Sequence, residues 1–415
     1  MVFPSTLRAL NYRNFRLYMI GQSISLIGTW MQRMAISWLV YELTQSAFML
    51  GLVAFAGLIP ILILSPYAGA FVDRHSRYKT LMVTQIASMI QAGLLAFVVL
   101  TNHYNITIII ILSVFLGIIN SFDSPSRQAL MIVMVDNKVD LQNAIALNSS
   151  MVTMARLVGP AVAGILLSTV GEGICFLLNF LSFIAVLACL FLMKLQLPIR
   201  KKNIEPIWMN LKEGYIYLKR SPALRYIILL TALISFVIMP YTTLFPIYAK
   251  EIFKGDVTTF GWLNSISGLG ALMGALYLAS QKTINHLLKI ISTAVLLLSA
   301  NLIFFSYTTI FPMALFFILF AEVGMLLLIS ASNTYLQTHV EENMRGRVIS
   351  YFIMAFGGMQ PIGNLIIGSL AHFVGVQLTL LIQGVLGIVI ILFFLPYFKK
   401  ANQRDKKKAL RIQLD

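Results

Sequence analysis

Five ionisable side chains stand inside long apolar runs: Arg33, Asp123, Arg127, Arg156 and Glu322. Charge held at such a place is costly and marks function by default. Glu322 is the first candidate to carry a proton and Asp123 the second. A carboxyl group in a low-dielectric interior is favoured in its neutral form, and an approaching cation favours release of the proton. Proton and cargo can compete for one site in this way. Asp123 also has a local alternative, because Arg127 follows it at the four-residue spacing that pairs opposite charges on a helix. Arg156 can equally brace one helix against another. Arg33 and Glu322 have no opposite charge close by in sequence. Other polar groups share a helix face with these charges. At 100° per residue, Gln22, Ser25, Thr29 and Arg33 fall within about 80° of one another. Asn120, Asp123, Ser124 and Arg127 fall within about 100°, and Glu322, Ser330, Asn333 and Gln337 within about 80°. The excess of cations among the five suits anionic or zwitterionic cargo. Trp30, Trp38, Tyr241 and Phe245 can stack on an aromatic cargo, although aromatics at helical spacing are also ordinary packing.

The elements that must position these groups are membrane helices. Of 415 residues, 59% are hydrophobic and 11% charged. A soluble domain is roughly 25% charged, so the chain lacks the polar surface of a water-soluble globule. Its apolar runs reach about twenty residues or more, the length of a membrane span. These features exclude a soluble enzyme, a disordered chain and a secreted disulfide scaffold. The net charge of +16 does not point to nucleic acid, whose binders keep a hydrophilic face for the phosphates. Cys175 and Cys189, on one helix, would lie about 21 Å apart, too far to bridge. The apolar stretch after Arg8, Arg13 and Arg16 is too long for a cleavable signal peptide.

The hydropathy pattern predicts twelve spans, at about 15–41, 47–72, 79–101, 106–130, 143–168, 172–195, 223–249, 258–280, 286–307, 311–337, 348–373 and 376–398. The expected organisation is a first six-helix bundle over 1–195, a linker with an amphipathic helix over 196–222, a second bundle over 223–398 and a basic tail over 399–415. Of the 31 Lys and Arg, all but Arg33, Arg156, Lys250 and Lys254 fall on one side of the membrane if both termini do. That side is then the cytoplasm. The halves resemble each other. Gly159, Gly164 and Gly171 around the fifth span recur as Gly363, Gly368 and Gly375 around the eleventh at one constant offset, as expected of two parallel repeats.

The strongest local motif runs from Gly69 through Asp73, Arg74 and Arg77 to Lys79, between the second and third spans. Gly69 can admit a neighbouring helix, Asp73 can accept from a helix N-terminus, and the cations suit the cytoplasmic leaflet. In the second half the equivalent stretch, Ala279 to Lys282, has lost the acid. Within the fifth span, Arg156, Gly159, Pro160 and Gly164 form a string that can kink and pack closely. Gly270 and Gly274 fit close packing of the eighth span.

The loop string resembles the G-x-x-x-D-R-x-x-x-R/K signature of the major facilitator superfamily, with Ser76 where that family usually has glycine. The likeness extends over the whole chain. It implies an all-α membrane fold of two pseudo-symmetric six-helix bundles, a cavity lined by spans 1, 4, 7 and 10, and a gate at Gly69, Asp73, Arg74 and Arg77. On these terms Gln22, Ser25, Thr29, Arg33, Asn120, Arg127, Tyr241, Ser330 and Asn333 are cavity candidates. The fifth-span string resembles the antiporter signature of that family, which ends in two glycines where this chain has Ala163-Gly164; Arg156, Gly159, Pro160 and Gly164 join the gating set. With Asp123 to Arg127, Leu141 to Ala144, and Arg345 to Val348, it is similar to the exporter branch that contains the enterobactin exporter and macrolide efflux proteins.

The expected function is a proton-coupled secondary exporter of a small amphiphilic, siderophore-like molecule. A macrolide-like drug is the alternative cargo, and a lipid mover or a membrane sensor the alternative class. No phosphate-binding loop, metal-ligand spacing or catalytic triad stands in the sequence, so neither an enzyme nor a cofactor or metal is expected. The partners are the cargo, protons and the lipid bilayer of a bacterial inner membrane, and the protein is expected to be monomeric.

Overall fold

The computed structural model describes residues 5–135, 137–195, 207–281 and 286–414, with the backbone alone at Ser5, Asp73, Lys138, Ile207, Trp208, Asn210 and 404–414. Residues 196–206 of the expected linker and Lys282 lie outside this set, as does the side chain of Asp73. A 3-10 turn at Ser5–Asn11 leads into α1 (Arg13–Thr44), α2 (Ala47–Arg74), α3 (Arg77–Leu100), α4 (Ile106–Met131), α5 (Lys138–Val170) and α6 (Glu172–Phe191). After α7 (Ile207–Arg220) come α8 (Pro222–Val237), the short α9 (Phe245–Ile247), α10 (Val257–Ser280), α11 (Leu287–Tyr307), α12 (Phe311–His339), α13 (Arg345–Val374) and α14 (Val376–Leu414).

Among the described residues, 11 helical segments are long and apolar enough to cross a membrane. The remaining long helix, α1, has 32 residues but too many polar ones to meet the same measure. Its Gln22, Ser25 and Gln32 are buried inside the protein. Packing, rather than hydropathy, therefore makes it the twelfth span. The seventh span is not one α-helix. Pro222–Ile252 passes from α8 through a 3-10 segment at Met239–Leu244 and α9 to a π-turn at Tyr248–Ile252. Pro240 and Pro246 each remove a backbone donor there. The tail beyond 398, expected as a separate basic segment, continues α14 to Leu414. After Pro396 it holds neither Gly nor Pro and is rich in Lys, Arg, Gln and Ala, all good helix formers.

The chain divides into two compact units, Met1–Asn203 with Ala249–Gly268, and Ile204–Tyr248 with Leu269–Asp415. The expected second bundle, 223–398, would have taken in 249–268; these residues group with the first unit. Gly164 and Gly261 explain part of this, since a Cβ on Gly164 would lie 3.3 Å from the Gly261 backbone. Tyr41 donates to Glu251, and Lys250 pairs with Glu42 at 2.7 Å.

The packing pattern is the same in each unit. In the first, α1 packs on α5 and α6, α3 on α4 and α6, and α2 on α4. In the second, α8 packs on α13 and α14, and α11 on α12 and α14. A Cβ on Gly270 would meet the Leu319 carbonyl at 2.4 Å, and one on Gly274 the Val323 carbonyl at 3.0 Å, so the close packing expected of α10 is made against α12. The glycines matched in sequence also match in role. A Cβ on Gly159 would meet Trp30 of α1 at 2.6 Å; one on Gly363 would meet the Phe236 carbonyl of α8 at 2.2 Å. Gly171 and Gly375 end α5 and α13 with φ of +80° and +84°, in a region open essentially to glycine alone. The segments that precede each repeat dock alike. Arg8 pairs with Asp140 at 2.8 Å, Tyr12 donates to Asp140 at 2.9 Å, and Asn143 Nδ2 donates to the Thr6 carbonyl at 2.8 Å. On α7, Glu213 pairs with Arg347, and the Leu211 carbonyl accepts from Tyr351 at 3.0 Å. Arg347 stands at the same repeat offset from Asn143.

Gly69 differs from these positions. A Cβ built on it meets nothing within 4 Å, so the close helix approach expected there is not made. Gly159→Val should therefore lower thermal stability of the purified protein, by about 1–3 kcal/mol through overpacking against Trp30. Gly69→Ala should leave the melting temperature unchanged. Gly171→Ala should be destabilising by about 1–3 kcal/mol from backbone strain, although open space surrounds it; a melting curve for each variant checks all three.

Candidate functional site

In the first unit α1, α3 and α4 bring a charged cluster together. Asp123, 4% exposed, accepts at Oδ1 from Thr84 Oγ1 at 2.9 Å and Gln85 Nε2 at 2.6 Å. Its Oδ2 pairs with Arg127 one turn on. Arg127 Nη1 donates to Gln22 Oε1 at 2.7 Å. The local pair that the spacing allowed is thus formed, and α3 adds two donors from outside the polar stripe of α4. Among the described residues, Gln22 Nε2 and Arg127 Nε are buried without a hydrogen-bond partner. Buried donors left open are uncommon, and here two stand side by side in one cluster.

A second polar chain in this unit went unread in the sequence. Gln32 Nε2 donates to Gln91 at 2.9 Å, and Asn179 Nδ2 donates to Gln32 Oε1 at 2.8 Å. Gln91 Nε2 in turn reaches the Leu112 carbonyl at 3.2 Å. These buried amides tie α1, α3, α4 and α6 together. The available signal was uncharged: three amides in otherwise apolar runs.

Arg33 and Arg156 share an aromatic partner. The Arg33 guanidinium lies 4.9 Å from the centroid of Trp30, and that of Arg156 lies 6.0 Å from the same ring. Arg156 also donates to Ser267 at 3.2 Å. α1 can approach α5 closely at Trp30 because Gly159 has no side chain. A cation over an aromatic face gains from the ring's quadrupole. Arg33 is exposed, and among the described residues no carboxylate pairs with it. Ser25 is buried, and its carbonyl accepts from Thr29 at 2.9 Å. Asn120 is half-buried. Of the gating set, Arg74 is exposed, Arg77 donates to the Ala129 carbonyl at 2.9 Å, and Pro160 lies inside α5.

In the second unit, Glu322 of α12 is 1% exposed and accepts a hydrogen bond from Tyr241 at 2.6 Å. Two residues from the candidate set are thereby joined, one from the broken seventh span. A Cβ on Gly270 would stand 2.9 Å from Glu322 Cβ, so α10 packs against the root of this side chain. Tyr241 packs edge-on against Phe245 at 5.5 Å. Ser330 and Asn333 are half-buried and bond along their own helix: the Ser330 carbonyl accepts from Thr334, and Asn333 from Gln337. The stripe on α12 thus divides into a buried acid and a separate hydroxyl–amide stretch. Trp38 stacks on Phe260 at 5.9 Å, the packing role open to it from its spacing.

Known proteins fit this architecture. Residues 4–413 match the family described as transmembrane secretion effector. The chain is 29% identical to the staphyloferrin A transporter of Staphylococcus aureus, covering 92% of this chain and 94% of that one. It is 25% identical to macrolide efflux protein A of Streptococcus pyogenes over 95% and 99% of the two chains. The multidrug efflux pump Tap of Mycolicibacterium fortuitum is 24% identical over 90% and 93%. Among solved structures, a mutant of the nucleoside transporter NupG superposes with a TM-score of 0.75 at 13% identity, covering 92% of this chain and 99% of that one. A bacterial homologue of the lysosomal transporter Spinster gives 0.73 at 13% identity, with 94% and 97% covered. The fold is that of these transporters, and with a match that runs nearly end to end the chain belongs to the transmembrane secretion effector family of major facilitator transporters.

Proposed function

We propose that this protein is a proton-coupled exporter of a small, acceptor-rich amphiphile of the siderophore type, acting as a monomer by alternating access. The observation that carries the coupling is the buried Glu322 with the Tyr241 hydroxyl on it. An ionised Glu322 accepts from Tyr241; a protonated one has a hydrogen of its own to donate and holds that hydroxyl less strongly. Tyr241 stands on the 3-10 stretch of the seventh span, where a regular α-helical ladder is interrupted. Loading and unloading of one proton can therefore loosen and tighten a hinge in that span. Asp123 fits a different task. Its acceptor sites are taken by Thr84, Gln85 and Arg127, which holds the cluster in shape and aims the open donors of Gln22 and Arg127.

Those two donors support the choice of cargo. A siderophore-type chelator offers many acceptors, which buried N–H groups and the exposed Arg33 can meet. The relative named as a staphyloferrin A transporter supports the same class. The macrolide efflux relative supports the second reading, a macrolide-like drug. A lipid mover is disfavoured by the polar character of the clusters. The bacterial relatives support an inner-membrane location. The distribution of cations supports termini on the cytoplasmic side, with Asp73, Arg74 and Arg77 in a cytoplasmic gate and Arg156, Gly159, Pro160 and Gly164 in the helix that moves against α1.

Glu322→Gln should abolish pH-driven uptake of cargo into inverted vesicles while cargo binding to the purified protein is kept. Full coupled uptake in that variant would remove Glu322 from the mechanism, and uptake indifferent to a pH gradient in the native protein would remove proton coupling altogether. For orientation, Lys254→Cys in a background with Cys175 and Cys189 replaced by Ser should react with an impermeant maleimide on intact cells. Labelling only after the membrane is opened would reverse the topology.

A further inference from the structure

The break in the seventh span takes a backbone acceptor out of its helical ladder, and a side chain far away in sequence meets it. In an α-helix the Tyr241 amide would donate to the Val237 carbonyl. Here Tyr241 N donates to the Ile238 carbonyl at 3.0 Å, the tighter bond of a 3-10 turn. Pro240 has no N–H to offer. The Val237 carbonyl instead accepts from Gln383 Nε2 of α14 at 2.6 Å, and the same amide reaches the Ile238 carbonyl at 3.4 Å. Gln383 is 0% exposed. Among the described residues its own oxygen, Oε1, has no hydrogen-bond partner. A buried amide satisfied on one side only is costly, whereas packing alone would be served by an apolar side chain. Gly387, one turn further along α14, lets the two segments approach at this level: a Cβ there would stand 2.4 Å from Ile238 Cδ1.

The first repeat puts the equivalent position to another use. Asn179 of α6 stands at the repeat offset from Gln383. Its Nδ2 donates to the Gln32 side chain of α1 at 2.8 Å, and α1 runs unbroken over Arg13–Thr44. The amide on the last helix of each repeat thus reaches the first helix. Where that helix is intact it meets a side chain, and where the ladder is broken it meets the backbone. A straight helix through 237–241 would return the Tyr241 amide to Val237 and displace Gln383, so the Gln383 bond favours the broken form. That form carries Tyr241 on the 3-10 stretch, from which its hydroxyl donates to Glu322 at 2.6 Å. We propose that Gln383 is the positioning residue of the Tyr241–Glu322 pair. It holds the break in the register that presents the Tyr241 hydroxyl to the carboxyl group, and it lets go when this stretch rewinds. Its part in proton coupling rests on the reading of Glu322 given above; its hold on the break does not.

The experiment is infrared spectroscopy of the purified full-length protein at acidic pH, read at the protonated-carboxyl band that Glu322→Gln removes. Gln383→Met keeps the length and volume of the side chain and takes away its donor. The band is expected to move to higher frequency in Gln383→Met, as it does in Tyr241→Phe, because the carboxyl group loses the same hydroxyl. The double variant should move no further than Tyr241→Phe alone, since both changes act through one contact. Thr379→Val is the control: Thr379 is buried one turn earlier on α14 and bonds along its own helix to the Gly375 carbonyl, so the band stays in place. In inverted vesicles pH-driven uptake should fall about tenfold in Gln383→Met through the unmet carbonyl. A band unmoved in Gln383→Met would overturn the proposal, as would an added shift in the double variant or an equal shift in Thr379→Val. Melting curves report the fold of each variant, and Gln383→Asn, too short to span the same distance, replaces Gln383→Met if the latter does not fold. Uptake indifferent to a pH gradient in the native protein, with the band behaving as expected, would remove the coupling reading and support Gln383 as the residue that holds the break.

Discussion

At membrane depth no water is available to satisfy a polar group, so each one must find its partner inside the protein. That constraint organises this structure. It forces the backbone into helices, and it gathers the side chains that are not apolar into a few closed sets. Asp123 is surrounded by Thr84, Gln85 and Arg127. Gln32, Gln91 and Asn179 complete one another. Glu322 is met by Tyr241. Trp30 supplies a face to two guanidinium groups. Around Asp123 the closure is incomplete: among the described residues Gln22 Nε2, Gln85 Oε1 and Arg127 Nε are buried without a hydrogen-bond partner.

The same constraint bears on how the helices approach. Burial of hydrophobic surface does not hold helices together in lipid, so contact must be close enough for van der Waals attraction, and small residues permit it. Gly159 lets the backbone of α5 lie on Trp30, and Gly363 lets α13 lie on the start of the break in the seventh span. These two contacts join the first and fifth helices of each repeat. The docked segments ahead of α1 and α8 bind the same two helices at their starts, through Asp140 and Asn143 in one repeat and Arg347 and Tyr351 in the other. Each repeat thereby has its first and fifth helices fastened at two levels. The chemistry of the fastening is reversed between the repeats: the acid is on α5 in one and on α7 in the other.

Several residues show where a linear reading stops. Asp123 and Arg127 were legible as a pair because both lie on one helix; Thr84 and Gln85, thirty-odd positions away, were not, because their relation to Asp123 depends on how α3 crosses α4. Glu322 had no visible partner until the break at Pro240 carried Tyr241 to it. Gly69 illustrates the opposite error. Its motif suggested close packing, yet it faces open space, because a motif records residue type and not what lies opposite.

By itself the sequence determined the class of the protein, most of its spans, the recurrence of its glycines between the halves and the positions of the charges within its apolar runs. Those properties follow from local periodicity, run length and composition, which physics acts on without reference to distant residues. Tertiary structure alone decided which carboxyl group is enclosed by donors of its own and a neighbouring helix and which meets a tyrosine hydroxyl of the broken seventh span, which glycines are required by a neighbour, and that 249–268 pack with the first unit. These depend on the angle and distance at which helices cross, and such distances are set by side chains far apart in the chain.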